Sequence, residues 1–180
     1  LVSSQAPKHA ELGLPQWILG MSTYAFLSEK QIVCTYTKEG LWFLATIDLD
    51  NFHCQTLNIH LAEPFGKVTD IEFVQTIQGK VVFVAGGPRL PKTVLCLDPV
   101  TGRVEMLSTP NMPTPAIQQN LSEHESMTFK TGHSGEAAHA FYYPPYNHDV
   151  EGPDPKAELP PLLIKMHGGP TAATSTTLHL

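Results

Sequence analysis

Two adjacent glycines near the C-terminal end of the sequence could take part in catalysis. His167, Gly168, Gly169 and Pro170 follow the apolar run Leu162–Met166, which we predict to be a short buried strand. Because glycine has no Cβ, the backbone N–H groups of such a turn can approach a ligand closely. Preorganised N–H donors stabilise the negative charge that develops on oxygen during acyl transfer, and losing one donor costs about 3 kcal/mol.

A second Gly-Gly-Pro sequence in the same chain serves as an internal comparison. The apolar run Val81–Ala85 is followed by Gly86, Gly87 and Pro88, but the residue directly before these glycines is alanine and not histidine. This second sequence lies within a series of predicted β-strands. We therefore interpret it as a structural turn and assign the chemistry to the sequence that contains His167.

No nucleophile, general acid or general base is found in a recognisable setting. The segment Gly132–Glu136 resembles the G-x-S-x-G motif of a nucleophile elbow, with Ser134 at the serine position. That motif needs glycine where Glu136 stands, and it needs a helix after the serine. Here a second strand is predicted to follow, so we interpret Ser134 as a residue of a hairpin turn. The nine histidines lack the spacing of a helical metal site. We predict neither a metal ion nor a cofactor.

The composition excludes several classes of protein. The 180 residues carry a net charge of −6 and show no basic stripe, which argues against nucleic acid as a partner. No apolar run reaches the roughly 18 residues that a membrane span needs. The three cysteines are far apart in the sequence, as expected for a reducing cytoplasm. We interpret both ends as cuts in a longer protein, so a leader before Leu1 remains an open question.

The first three fifths of the sequence, up to Leu107, predict antiparallel β-structure. Short β-like runs alternate with turn residues about every ten residues. The segments around Asp48 and Asp98 resemble each other at a distance of 98 − 48 = 50 residues, which suits two blades of a β-propeller. The predicted strands are Ser22–Leu27, Gln31–Thr37, Leu41–Leu49, His53–Asn58, Val68–Thr76, Lys80–Ala85, Thr93–Asp98 and Arg103–Leu107.

The remaining two fifths, residues 109–180, lack this regular alternation of strands and turns. Prolines without periodicity follow the last predicted strand, and we interpret residues 109–122 as a linker. A hairpin of Ser126–Thr131 and Ala137–Tyr143 comes next, and a proline-rich surface loop then leads to Leu162–Met166. We therefore divide the chain into a partial propeller of about two blades (1–108), a linker (109–122) and a second domain (123–180).

This order of elements resembles the prolyl oligopeptidase family of serine peptidases, particularly its acylaminoacyl-peptidase and dipeptidyl-aminopeptidase-like branches. The residues that carry the resemblance are Trp17–Tyr24, Ala138–Pro145 and, most specifically, Leu159–Thr171. The resemblance implies a mixed fold, in which the C-terminal blades of an antiparallel β-propeller precede the first strands of an α/β-hydrolase domain. It also implies that the propeller caps the active site.

The resemblance assigns roles to the Gly-Gly turn. Gly169 matches the glycine whose N–H belongs to the oxyanion hole, whereas Gly168 and His167 give the loop its shape. The Ser-Asp-His triad of the family follows this turn in sequence, so none of it is expected before Leu180. The chain alone is therefore expected to be inactive.

The resemblance implies a parent enzyme that cleaves short peptides through an acyl-enzyme. From the sparse cysteines and the missing apolar run, we expect that enzyme in the cytoplasm and not in a membrane. A related esterase and a non-catalytic propeller that binds proteins are the alternatives. Substrate preference and oligomeric state stay open at this point.

Overall fold

The computed structural model describes residues 7, 9–15, 18–132, 134–150, 152, 159–169 and 172–179. The chain divides into two compact units. The first comprises Leu1–Met112 with Ser175–Leu180, and the second comprises Pro113–Thr174. The division into 1–108, 109–122 and 123–180 that the sequence suggests stays a prediction.

Two four-stranded antiparallel sheets make up most of the first unit, and each is a simple meander in which neighbours in sequence pair. All eight strands predicted in this region are confirmed, with ends that differ by a few residues. In the first sheet the strands are β1 (Tyr24–Ser28), β2 (Gln31–Lys38), β3 (Leu41–Asp48) and β4 (Cys54–Leu57). In the second they are β5 (Asp70–Ile77), β6 (Lys80–Gly87), β7 (Leu90–Leu97) and β8 (Val104–Met106).

The two sheets end their third strands with the same turn. The Asp48 carboxylate accepts hydrogen bonds from the N–H groups of Asp50 and Asn51, at 2.9 and 3.0 Å. The Asp98 carboxylate does the same with Val100 and Thr101, at 2.9 and 3.1 Å. Aspartate favours such turns because its short side chain reaches the N–H groups just after it. The 50-residue similarity in the sequence therefore corresponds to a repeated hydrogen-bond pattern.

A shared apolar core joins the sheets of the first unit. Val33 and Leu44 of the first sheet pack with Phe83, Leu90 and Leu95 of the second, all at most 1% exposed. Burial of a side chain of this size contributes about 1.5–3 kcal/mol. These meanders are compatible with propeller blades.

A hairpin is the main regular element of the second unit. Strand β9 (Glu125–Lys130) pairs antiparallel with β10 (Ala137–Tyr142), as the sequence predicted. A single helical turn, α1 (Pro115–Gln118), lies within the predicted linker. Proline at the first helical position suits this turn because its missing N–H would have no partner there.

The prediction of a strand at Leu162–Met166 is wrong for this structure. The segment is irregular, makes no strand pairing among the described residues, and exposes Leu163 to 92% and Ile164 to 73%. A covered strand needs neighbours on both sides, and the β9–β10 hairpin is the only sheet in the described part of the second unit. The expected hydrolase sheet is therefore not confirmed. Among the described residues, no helix is long and apolar enough to cross a membrane.

Candidate oxyanion turn

The turn at Gly168 and Gly169 lies in the second unit and is exposed to solvent. Gly169 has φ of +71°, in the left-handed region that favours glycine. A Cβ built on Gly168 or Gly169 would have no atom within 4 Å. The requirement for glycine at position 169 is therefore conformational in this structure. The next two residues, Pro170 and Thr171, lie outside the described part.

His167 is exposed beside this turn. Its Nδ1 lies 3.5 Å from the carbonyl oxygen of Gly168, at the outer limit of a hydrogen bond. The loop-shaping role of His167, like the oxyanion role of Gly169, stays a prediction.

The other pair of glycines is constrained by packing. A Cβ on Gly87 would collide with the carbonyl oxygen of Lys67, and one on Gly86 would collide with the side chain of Thr177. Both glycines end strand β6, and Gly87 pairs with Leu90 across the turn. This arrangement agrees with the interpretation of the second Gly-Gly-Pro sequence as a structural turn.

Ser134 lies in the connection between β9 and β10. Thr131 donates its N–H to the carbonyl of Glu136 at 2.8 Å, and Gly135 donates to Thr131 at 3.1 Å. The Ser134 hydroxyl donates to the Glu136 carboxylate at 3.0 Å. Strand β10 follows this serine, so Ser134 lies in a hairpin turn, as the sequence predicted.

The thiols of the first sheet are poor candidates for a nucleophile. Burial, aided by the nearby Cys54, raises the pKa of Cys34 to about 12. Burial also raises the pKa of Cys54. The thiolate is the reactive form, so little of either cysteine is reactive near neutral pH. Within the described ranges, no group of three or more His, Cys, Asp and Glu residues could hold a metal ion.

The first unit also contains a buried polar cluster that the sequence did not predict. Asp70 is 6% exposed, and its Oδ2 accepts hydrogen bonds from the hydroxyls of Ser175 and Thr177 at 2.8 and 2.9 Å. The only local signal is the hydroxyl-rich run Thr174–Thr177. No imidazole takes part in these hydrogen bonds, so the cluster as it stands binds a segment of chain and lacks the base that activates a serine.

Solved structures of puromycin-hydrolyzing enzymes are similar to this chain. One is a Mycobacterium tuberculosis puromycin-hydrolyzing peptidase, with a TM-score of 0.67, 28% identity, and coverage of 82% of this chain and 22% of that chain. A puromycin hydrolase has a TM-score of 0.67, 25% identity, and coverage of 86% and 22%. A serine-to-alanine mutant of puromycin hydrolase complexed with PGG has a TM-score of 0.66, 25% identity, and coverage of 84% and 22%.

The similarity therefore extends over most of this chain but only over about a fifth of each neighbour. No family model matches the sequence, and no curated protein matches it significantly. The structural neighbours are peptidases, and they support a hydrolase as the parent of this chain.

Proposed function

We propose that the chain is part of a larger serine peptidase of the prolyl oligopeptidase family. The observation that carries this proposal is the match of 82–86% of the chain to puromycin-hydrolyzing peptidases, at 25–28% identity. The two meanders would be neighbouring propeller blades. The β9–β10 hairpin and Leu162–Met166 would be the first strands of the α/β-hydrolase domain.

In such a parent, the Gly169 N–H acts on the transition state. A serine from the remainder of the parent attacks the substrate carbonyl, and the oxygen gains negative charge as the carbon becomes tetrahedral. The Gly169 N–H donates a hydrogen bond to that oxygen, while Gly168 and His167 set the path of the loop. The open space around both glycines is consistent with the approach of a substrate carbonyl.

The proposed substrates are short peptides and aminoacyl amides. This class follows from the puromycin hydrolysis named for the structural neighbours. The proposed location is the cytoplasm, since all three cysteines are free thiols. An amide and an ester with the same aminoacyl group distinguish a peptidase parent from an esterase. We expect efficient hydrolysis of the amide, and hydrolysis of the ester alone would contradict the peptidase assignment.

Labelling with a fluorophosphonate tests where the nucleophile lies. The parent should react with one equivalent of label, because its triad activates a serine. The 180-residue chain should remain unlabelled and should turn over no peptide or ester. Stoichiometric labelling of the short chain at Ser134, or at any other serine, would contradict the proposal.

A further inference from the structure

The segment Ser175–Leu178 is held against the second sheet, within the first unit. The N–H of Leu178 donates to the carbonyl of Gly87 at 2.9 Å. Thr176 and Thr177 are 3% and 5% exposed, although exposed residues precede them. This segment therefore buries two polar side chains, which requires partners for their hydroxyls.

Those partners lie at the start of strand β5. The Thr176 hydroxyl is 2.7 Å from that of Thr69, and the Thr177 hydroxyl donates to the Asp70 carboxylate at 2.9 Å. Ser175 donates its hydroxyl to the same carboxylate oxygen and accepts the N–H of Thr177 at 3.0 Å. The order Ser-X-Thr thus places two hydroxyl donors on one buried negative charge.

The shape of the site is set by Gly86. Asp70 and Gly86 are partners across β5 and β6, so the carboxylate and the glycine lie side by side. A Cβ at Gly86 would occupy the position of the Thr177 side chain. The site therefore combines a cleft that only glycine leaves open with a carboxylate that selects hydroxyl donors. Apolar side chains in the same place would leave that charge buried without donors, at a large cost.

We propose that Thr69, Asp70, Gly86 and Gly87 form a binding site for a peptide segment of the Ser-X-Thr type, and that Ser175–Leu178 occupies it within the same chain. This binding function is independent of the proposed peptidase, because it needs only contacts within the first unit.

Hydrogen exchange of the Leu178 amide in the whole chain measures the occupancy of the site. Ser175→Asp brings a second carboxylate to Asp70, whereas Ser175→Asn has nearly the same size and no charge. We expect Ser175→Asp to accelerate exchange by about tenfold or more, and Ser175→Asn to have a much smaller effect. The amides of β6 and β7 should keep their protection in both variants, which shows that the sheet is intact.

A glycine pair tests the cleft. Gly86→Ala should also release the Leu178 amide, whereas Gly13→Ala should not, because a Cβ on Gly13 has no atom within 4 Å. Rapid exchange of Leu178 in the unaltered chain would overturn the proposal. Equal effects of the two Ser175 variants would overturn it as well. Protection that rises with protein concentration would contradict occupancy within one chain.

Binding from solution tests the site directly. A fluorescent peptide with the sequence of residues 172–179 should bind the Ser175→Asp chain, whose site is vacated. The same peptide with valine in place of Thr177 should bind about tenfold more weakly or worse, since valine keeps the shape and removes the donor to Asp70. Equal binding of the two peptides would show that the carboxylate does not select hydroxyl donors.

Discussion

At the scale of single residues, glycine is required for different reasons at positions 169 and 87. Gly169 has a positive φ and open surroundings, whereas Gly87 has no positive φ and packs against the carbonyl of Lys67. A side chain at 169 costs backbone strain of about 1–2 kcal/mol. One at 87 must displace backbone, which is the more severe form of overpacking. The two Gly-Gly-Pro sequences are thus distinguished by their surroundings, which the sequence motif does not contain.

Asp98 provides a test of the turn that both sheets share. Hydrogen bonds from the N–H groups of Thr101 and Val100 lower its pKa below the ordinary value of an aspartate. A carboxyl whose pKa is lowered by folding contributes stability above its unfolded pKa, near 3.9, and loses it as the pH falls through the folded value. An NMR titration of Asp98 should therefore show a midpoint below that of an unfolded peptide.

Asp98→Asn is the matched variant for this prediction. Asparagine keeps an acceptor oxygen for the two N–H groups but does not titrate as a carboxylate. The free energy of unfolding of the Asp98→Asn variant should therefore lack the part of the pH dependence that Asp98 contributes. A normal midpoint for Asp98, or identical acid sensitivity of the two proteins, would show that the hydrogen bonds at this turn are weak.

At the scale of elements, the sequence predicts those strands that pair with their neighbours in sequence through a tight turn. Strands such as β2 and β3 are short β-favouring runs that face each other across a turn, and Glu39 and Gly40 in that turn both have positive φ, as tight hairpins require. Leu162–Met166 has an equally strong apolar pattern but no strand partner in the described structure. Its state as a strand depends on neighbours that local sequence cannot specify.

The exposed apolar segment should make the chain associate. Leu163→Lys should reduce association in sedimentation velocity and change stability by only about 0.5 kcal/mol, because Leu163 is 92% exposed. Val100→Lys is the matched control, since Val100 is also 92% exposed but lies in the turn after β7. In the parent, Leu163→Lys should instead prevent folding, because the segment would be a covered strand there.

A comparison of Leu163→Lys in the 180-residue chain and in the parent shows whether Leu162–Met166 is exposed or is a covered strand in the parent. Tolerance of the lysine by the parent would mean that Leu162–Met166 is exposed there too. Equal effects of Leu163→Lys and Val100→Lys on association would assign the effect to charge alone, and not to the apolar segment.

At the scale of the whole molecule, the sequence did not predict the contacts between residues that are far apart in the chain. Ser175 and Asp70 are 105 residues apart, and neither belongs to a motif that indicates the other. The need for glycine at position 86 likewise arises from the approach of Thr177. The resemblance to a peptidase family, by contrast, agrees in part with the structural neighbours, which are puromycin-hydrolyzing peptidases.

The central claim is that this chain supplies an oxyanion donor to a larger peptidase, and the kinetics of Gly169→Val in that parent test it most directly. The Gly169 N–H would be needed mainly in the transition state, so kcat should fall by about a hundredfold or more while KM changes little. Gly87→Val is the control, and it should lower the amount of folded protein but leave kcat per folded molecule nearly unchanged. If Gly169→Val loses activity only in proportion to folded protein, as Gly87→Val should, then Gly169 is a structural glycine and the claim is wrong.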